Sequence, residues 1–184
     1  YGNYLSEHSS WENSLDLAYG LIRQGDLTKK SDDRIEFSSQ YSREASESWA
    51  YSTLLNFRSQ FTEGYNYPND SVRISNFFAP AYLTGSVGMN YKKLKGLDVF
   101  ISPLAGKFTF VLDDSLSAEG QFGVDPGNQT RAELGGFIKI SYKKKNLVQN
   151  VDLTTRVDLF SNYLDKPQNV DVNWEMLLAM KINE

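Results

Sequence analysis

The sequence predicts an all-β protein, an up-and-down antiparallel transmembrane β-barrel with about eight strands in this chain. Three observations support this fold class. Apolar and polar residues alternate over long stretches, the stretches exceed the usual length of strands in soluble proteins, and the connections between them alternate between short and long.

Residues 150–164 show the alternation most clearly. Val151, Leu153, Thr155, Val157 and Leu159 fall on one side, and Asp152, Thr154, Arg156 and Asp158 fall on the other. The pattern recurs in seven further segments: 11–21, 35–41, 49–61, 82–91, 97–101, 132–142 and 170–182. A period of two, rich in β-branched and aromatic residues, predicts strands, because a helix needs apolar residues at spacings of three and four.

Strand length and loop length together favour a membrane barrel. Many of the predicted strands are about 11 to 15 residues long, whereas soluble strands cluster near 5 or 6 and a tilted membrane strand needs about 9 to 11. Tight turns are predicted near residues 46, 94 and 144. Longer connections are predicted at 23–33, 62–80, 102–131 and 163–168. Short turns at one end and longer loops at the other are typical of a bacterial outer-membrane barrel, with the short turns in the periplasm.

The two ends of the sequence look like parts of a larger barrel. Residues 1–5 resemble the end of an earlier strand, and the chain stops at "MKINE" without a final aromatic residue. We therefore expect a single outer-membrane domain over residues 1–184 that lacks terminal strands, and about ten strands in the complete protein.

Composition excludes several classes of protein. The chain has no cysteine and a net charge of −4, with a sequence pI of about 5.1 and a mean hydropathy of −0.46. A disulfide scaffold and a thiolate metal site are therefore excluded, and nucleic acid is not expected as a partner. No run of 18 apolar residues predicts a transmembrane helix. No phosphate-binding loop or metal-ligand cluster is present, so no cofactor is expected.

The polar face of the predicted strands carries charges of both signs. In a soluble lipid-binding barrel these side chains would face water, but in a membrane barrel they face a narrow lumen and need partners. The predicted lumen-facing network comprises Glu12, Asp16, Glu36, Arg58, Glu133, Lys139, Asp152, Arg156, Asp158, Asp171, Glu175 and Lys181. Tyr and Trp near the strand ends predict interfacial girdles on the apolar face: Trp11, Tyr41, Trp49, Tyr82, Tyr91, Tyr142 and Tyr163. The lysine clusters at 92–95 and 143–145 are expected to reach lipid headgroups at strand ends.

Several motifs are distinctive, among them "ISPLAGK" and "LFSNYLDKPQNVDVNWE". With these motifs the whole chain resembles the family catalogued as domain of unknown function 3078, found in Bacteroidota. The resemblance implies an outer-membrane barrel with no established activity, and it implies no catalytic residues.

Aromatic residues in the predicted loops need a place to pack. Phe77, Phe78, Phe108, Phe110 and Phe122 fall in the segments predicted to be external. They are expected to form a lid over the barrel, to contact another outer-membrane protein, or to pack among themselves.

Barrel size limits the function. Barrels of about eight to ten strands have lumens filled by side chains, whereas open channels occur at about sixteen. The leading hypothesis is a non-enzymatic structural or accessory subunit of an outer-membrane assembly. It would contact outer-membrane lipid, lipopolysaccharide and other outer-membrane proteins. A narrow pore for a small solute is the alternative. A lipid-modifying hydrolase at His8, next to Ser9 and Ser10, is the third hypothesis.

Overall fold

The computed structural model describes residues 1–25, 27–66 and 72–180. One sheet contains nine strands, and two very short strands form a separate two-stranded sheet. The strands are β1 (Gly2–Leu5), β2 (Ser9–Gln24), β3 (Leu27–Glu44), β4 (Trp49–Ser59), β5 (Gly64–Tyr65), β6 (Arg73–Ser75), β7 (Ala81–Tyr91), β8 (Leu97–Phe110), β9 (Thr130–Val148), β10 (Val151–Asn162) and β11 (Val170–Met180). A short helix, α1 (Asp114–Ala118), and a 3-10 turn, Gln121–Gly123, lie between β8 and β9.

The large sheet has the order β1-β2-β3-β4-β7-β8-β9-β10-β11 and is antiparallel throughout. It curls into a half-barrel. The predicted all-β, up-and-down antiparallel fold is confirmed, including the short first strand and eight long ones. No helix in the described ranges is long and apolar enough to cross a membrane.

The alternation of side chains follows the register of the sheet. In β4 the odd positions Tyr51, Thr53 and Leu55 are exposed, while Ser52 and Leu54 are buried. Successive strand residues point to opposite faces, so one face of each strand shares the concave side of the curled sheet. We call the concave side the lumen face and the convex side the outer face.

Strand β8 corrects the predicted loop at 102–131, because residues 102–110 continue the strand. A register shift between Ser102 and Ala105 places Pro103 and Leu104 consecutively in exposed positions. The extra residue of this bulge switches the lumen-facing positions from even to odd numbers. Phe108 and Phe110 therefore lie in strand β8 and not in the predicted loop.

The predicted connection at 23–33 is also corrected. Strands β2 and β3 continue to Gln24 and Leu27, so two residues join them. The tight turn predicted near residue 144 lies further along, between Val148 and Val151. Long connections remain between β4 and β7 and between β8 and β9, and both lie at the same end of the sheet.

Gly88 in β7 occupies a site where a side chain has no room. A Cβ atom there would lie 2.0 Å from the Ile101 carbonyl oxygen, whereas one at Gly85 in the same strand would meet nothing closer than 4.0 Å. We predict that Gly88→Ala destabilises the folded protein by about 1 to 3 kcal/mol through overpacking. Gly85→Ala is the control and should change stability by less than about 1 kcal/mol. Denaturant unfolding of the refolded protein measures both, and equal stability of the two variants would contradict this register.

Candidate functional site

The candidate functional site is the lumen face, where charged side chains from distant strands meet. Arg58 of β4 lies 2.8 Å from Glu36 of the neighbouring strand and 2.9 Å from Glu175 of β11. Four strands separate β4 from β11 within the sheet. An arginine carries several donors in a fixed fork, so it can serve two carboxylates at once. The curl of the sheet is what brings them together.

Three other contacts also cross the lumen face. Lys107 of β8 lies 2.6 Å from Asp171 of β11, and two strands separate these elements. Lys139 of β9 donates to the Gln40 side chain of β3 at 3.0 Å. At the short-turn end, Lys92 lies 2.9 Å from Glu12 of β2 and 3.8 Å from Asp98. The polar face is therefore tied together from one end of the sheet to the other.

The remaining residues of the predicted network have local partners. Arg156 lies 2.7 Å from Asp158 on the same strand. Asp16 lies 3.3 Å from Arg34. Asp152 accepts the backbone N–H of Asn146 at 2.8 Å.

Glu133 and Lys181 complete the predicted network. Glu133 lies 2.9 Å from Arg131 and 3.7 Å from Lys107. Lys181 lies outside the described residues.

A compact apolar cluster also lies on the lumen face, and it was not predicted. The cluster consists of Leu54, Phe100, Ala105, Phe137 and Phe160. Phe100 and Phe137 have ring centroids 6.3 Å apart, and the Lys107 ammonium lies 5.1 Å from the centroid of Phe160. These apolar residues lie at the alternate strand positions that otherwise carry polar side chains. Apolar residues at those positions were the signal in the sequence that indicates a cluster on the lumen face.

The outer face carries large apolar side chains that are exposed along whole strands. Leu15, Leu17 and Tyr19 of β2 are 56%, 56% and 54% exposed, and Trp174 of β11 is 66% exposed. A contiguous apolar surface of this kind marks contact with another apolar phase or partner. Tyr82 is an exception to the predicted girdle: it pairs with Arg58 in the register and lines a lumen-face cavity.

The long connections pack together into a cap, which we define as residues 60–66, 72–80 and 111–129. Its centre is Asp113, 7% exposed, which accepts hydrogen bonds from Arg73 at 2.7 Å and from Asn76 at 2.9 Å. The same carboxylate accepts the backbone N–H groups of Ser115 and Leu116 and caps α1. One carboxylate therefore joins two connections that are far apart in sequence.

The cap has its own small core of Ala79, Val111, Leu116 and Val124, and Phe122 packs against it. The Phe78 ring contacts Phe57 at 5.5 Å and Phe77 at 4.8 Å between centroids.

The five predicted loop phenylalanines therefore separate into two groups. Phe77, Phe78 and Phe122 belong to the cap, and Phe77 is 54% exposed. Phe108 and Phe110 lie in β8 at positions on the outer face.

His8 lies in the short connection between β1 and β2. Its Nδ1 atom lies 3.3 Å from Glu44, and both side chains are exposed. The nearby hydrogen bond between hydroxyls joins Ser6 and Ser9 at 3.1 Å. Among the described contacts, no serine hydroxyl bonds the imidazole, so the geometry of a serine–histidine pair is not formed here.

Comparison with known proteins identifies one family. The family described as "Protein of unknown function (DUF3078)" has a model that matches residues 1–65. Residues 1–65 are similar to this family. The predicted resemblance is confirmed over that segment, and its extension to the rest of the chain and to Bacteroidota stays a prediction. The searches of curated proteins and of solved structures gave no match.

The segment that matches the family model contributes a residue to three of the four lumen-face contacts that cross the sheet, including the Gln40 side chain that accepts from Lys139. Glu12 and Arg58 lie within residues 1–65, and their partners Lys92 and Glu175 lie outside it. The lumen face is thus built jointly by this segment and the remainder of the chain. Among the described residues, no group of three or more His, Asp or Glu side chains is arranged to hold a metal ion.

The cap depends on the charge of Asp113. Hydrogen bonds from the Ser115 hydroxyl, from Asn76 and from Arg73 hold the pKa of Asp113 well below its ordinary value of 3.8, although burial opposes them. A carboxylate whose pKa falls on folding stabilises the native state above the unfolded pKa. That contribution is lost only as pH falls towards the lower folded pKa. We predict that the cap resists proteolysis at neutral pH and through pH 4, and loosens at more acidic pH.

Asp113→Asn tests the same interaction at constant pH. It should destabilise the cap by roughly 2 to 3 kcal/mol, because charge-assisted hydrogen bonds are lost. Limited proteolysis of residues 111–129 at pH 7 measures the effect. Asp114→Asn is the matched control, since Asp114 is exposed and accepts one hydrogen bond, from Gln129. Equal cleavage rates for wild type and Asp113→Asn would contradict the role of this carboxylate.

Proposed function

We propose that this chain forms most of an outer-membrane β-barrel whose lumen is closed by its own side chains. It acts as a non-enzymatic structural or accessory subunit of an outer-membrane assembly. The observation that carries the proposal is the division between the two faces. Charges are paired across the concave side, while leucines and aromatic residues are exposed on the convex side.

Strand length supports the membrane location. The eight long strands contain 11 to 19 residues, and a tilted membrane strand needs about 9 to 11. Leu15, Leu17 and Tyr19 occupy successive outer-face positions of β2 and are all more than half exposed. In hydrocarbon their exposure is favourable, whereas in water it is costly.

The membrane location also requires strands beyond those described. β1 and β11 form the two edges of the sheet, and among the described residues nothing pairs with the outer edge of β11. Unpaired backbone groups are not tolerated in hydrocarbon. The proposal therefore includes further strands, from a longer chain or from a partner, that pair with these edges and close the barrel.

The packing of side chains on the lumen face supports a structural role over transport. The cluster around Phe100 and Phe137 fills part of the lumen face, and ion pairs such as Arg58–Glu175 cross it. Small barrels are filled in this way. One observation favours the alternative of a narrow pore: a cavity of about 1330 Å³ lies against the lumen face and is lined by charged side chains of both signs.

Adjacent substitutions on β2 test the membrane location. Leu15 faces outward and Ser14 lines the lumen-face cavity. A lysine facing lipid costs about 2 to 4 kcal/mol near the bilayer centre. We therefore predict that Leu15→Lys lowers folding stability in phosphatidylcholine vesicles by this amount, and that Ser14→Lys has a much smaller effect. Denaturant titration of the reconstituted protein measures both. If Leu15→Lys were as stable as wild type, the outer face would be in contact with water.

Conductance distinguishes a closed barrel from a pore. We predict that the wild-type protein gives no unitary current steps in planar bilayers at applied potentials of up to about 150 mV of either sign. Phe137→Gly, which removes the ring that contacts Phe100, should give measurable steps because it opens the apolar cluster. Regular wild-type steps would favour the narrow pore and overturn the closed lumen.

Co-purification tests the accessory role. After mild detergent extraction from its native membrane, the protein should migrate in a complex with other outer-membrane proteins. A monomer without partners at the detergent concentrations that preserve known assemblies would count against this role. The membrane location would survive that result, since the β2 substitutions test it separately.

A further inference from the structure

At the end of the sheet with the short turns, positive charge is concentrated where the β7–β8 turn meets the end of β9, whereas Glu7, Glu44 and Glu47 lie at the other two short turns. Lysines occur in two clusters, one in the β7–β8 turn and one at the end of β9: Lys92, Lys93, Lys95, Lys143, Lys144 and Lys145. All six are exposed. The chain as a whole has a net charge of −4, so this concentration of positive charge is local.

The fold joins the two clusters into one surface. The Lys143 N–H donates to the Gly96 carbonyl at 2.8 Å, and Leu97 pairs with Tyr142 directly above this contact. Gly96 has a φ of +85°, and a Cβ atom there would lie 2.3 Å from the Lys143 carbonyl oxygen. The glycine therefore allows the turn to approach β9 closely, although the clusters lie about fifty residues apart in sequence.

Among the described residues, five of the six lysines have no acidic partner. Lys92 is paired with Glu12 and Asp98. Within the described part of the chain, no salt bridge includes the other five. Two carboxylates on the flanking strands already have other partners: Asp98 accepts from Asn90, and Asp152 accepts from Asn146. The five ammonium groups are thus available to an external anion.

The neighbouring outer face indicates what that anion is. Ile138, Ile140 and Tyr142 are successive outer-face residues of β9, and Lys144 follows them in the same phase. A lysine immediately beyond an apolar strand face lies at the depth of lipid headgroups if that face contacts hydrocarbon. The phosphodiester of an anionic phospholipid offers negative charge at this depth, and several lysines close to an anionic leaflet strengthen binding together.

We propose that Lys93, Lys95, Lys143, Lys144 and Lys145 form one binding site for anionic phospholipid headgroups at the short-turn end of the barrel. The site lies on the rim where the lumen face, lined by Lys95 and Lys143, meets the outer face, in whose phase Lys144 lies. The inference rests on the proposed membrane location. It adds a defined lipid class and a defined leaflet, the periplasmic one, to which the short turns belong.

Native mass spectrometry of the detergent-solubilised protein tests the proposal, with phosphatidylglycerol and phosphatidylcholine as competing lipids. Wild type should bind phosphatidylglycerol at least tenfold more tightly. Each lysine near an anionic surface contributes about fivefold, so Lys93→Gln/Lys95→Gln and Lys144→Gln/Lys145→Gln should each remove most of the preference. Lys29→Gln/Lys166→Gln removes two charges at the opposite end and should leave it unchanged.

A charge-neutral variant tests whether the two clusters act as one site. Gly96→Ala keeps every lysine but displaces the turn from β9, so it should weaken phosphatidylglycerol binding severalfold. Heat-dependent migration on gels shows that each variant is folded. Unchanged preference in both lysine pairs, or equal binding of the two lipids by wild type, would overturn the proposal.

Two further competition experiments distinguish the phosphate-bearing molecules that could bind these lysines. Together with the Leu15→Lys test, they show whether the lipid assignment or the membrane location fails. Displacement of the lipid by millimolar inorganic phosphate would show a site for the free ion and overturn the lipid assignment. Tighter binding of lipopolysaccharide than of phosphatidylglycerol would place these lysines in the other leaflet and also overturn it. If Leu15→Lys shows that the outer face contacts water, the membrane location itself fails. If that test succeeds and the lipid preference is absent, only the present inference fails.

Discussion

The whole structure depends on the register between antiparallel strands. Because side chains alternate along each strand, a slip of one residue would move every charge from the lumen face to the outer face. The register keeps Arg58 of β4 and Glu175 of β11 on the same side of the sheet, although 117 residues separate them. Where the alternation changes phase, as between Ser102 and Ala105 in β8, a bulge takes up the extra residue and the face is preserved.

Charge and curvature support each other on the lumen face. A flat sheet would hold β4 and β11 several strand spacings apart, and strands lie about 4.8 Å from one another. The 2.9 Å contact between Arg58 and Glu175 therefore requires the curl. In turn, a charge that is partly withdrawn from water needs a partner, which favours the curled form. The Phe100 and Phe137 rings add apolar contact inside the same concave surface.

The sequence predicted the fold well where alternation was regular. The eight long strands follow directly from apolar residues at every second position, and residues 1–5 resemble the end of an earlier strand. The prediction failed at residues 102–110, because the bulge at Pro103 and Leu104 reverses the phase that the pattern relies on. It failed at Thr28–Asp33 for another reason: this stretch is polar, and its strand is specified by pairing with β2.

The charged members of the lumen face were named from the sequence, but most of their partners were not. Alternation shows which face a side chain shares, and it gives no information on the distance around a curved sheet. The pairing of Lys107 with Asp171 depends on that curvature. The cluster of Leu54, Phe100 and Phe137 was not predicted, because apolar residues at positions that are otherwise polar resemble breaks in the alternation of apolar and polar residues. The Asp113 hub joins two long connections through loop geometry that periodicity does not address.

The contacts within the fold limit which surfaces of the protein can bind another molecule. Arg58, Lys107 and Lys139 are committed to partners on the lumen face, and Asp113 is committed within the cap. A side chain held in several contacts must break them before it can bind a solute, and each broken charged contact has a cost. Within the residues that the structure describes, the surfaces without internal partners are the outer face, the edge of β11 and five of the lysines at the short-turn end. These are the surfaces that contact lipid, a pairing strand and headgroups in the proposed arrangement. In that arrangement the groups free to bind are directed outward, which agrees with the proposed structural or accessory role.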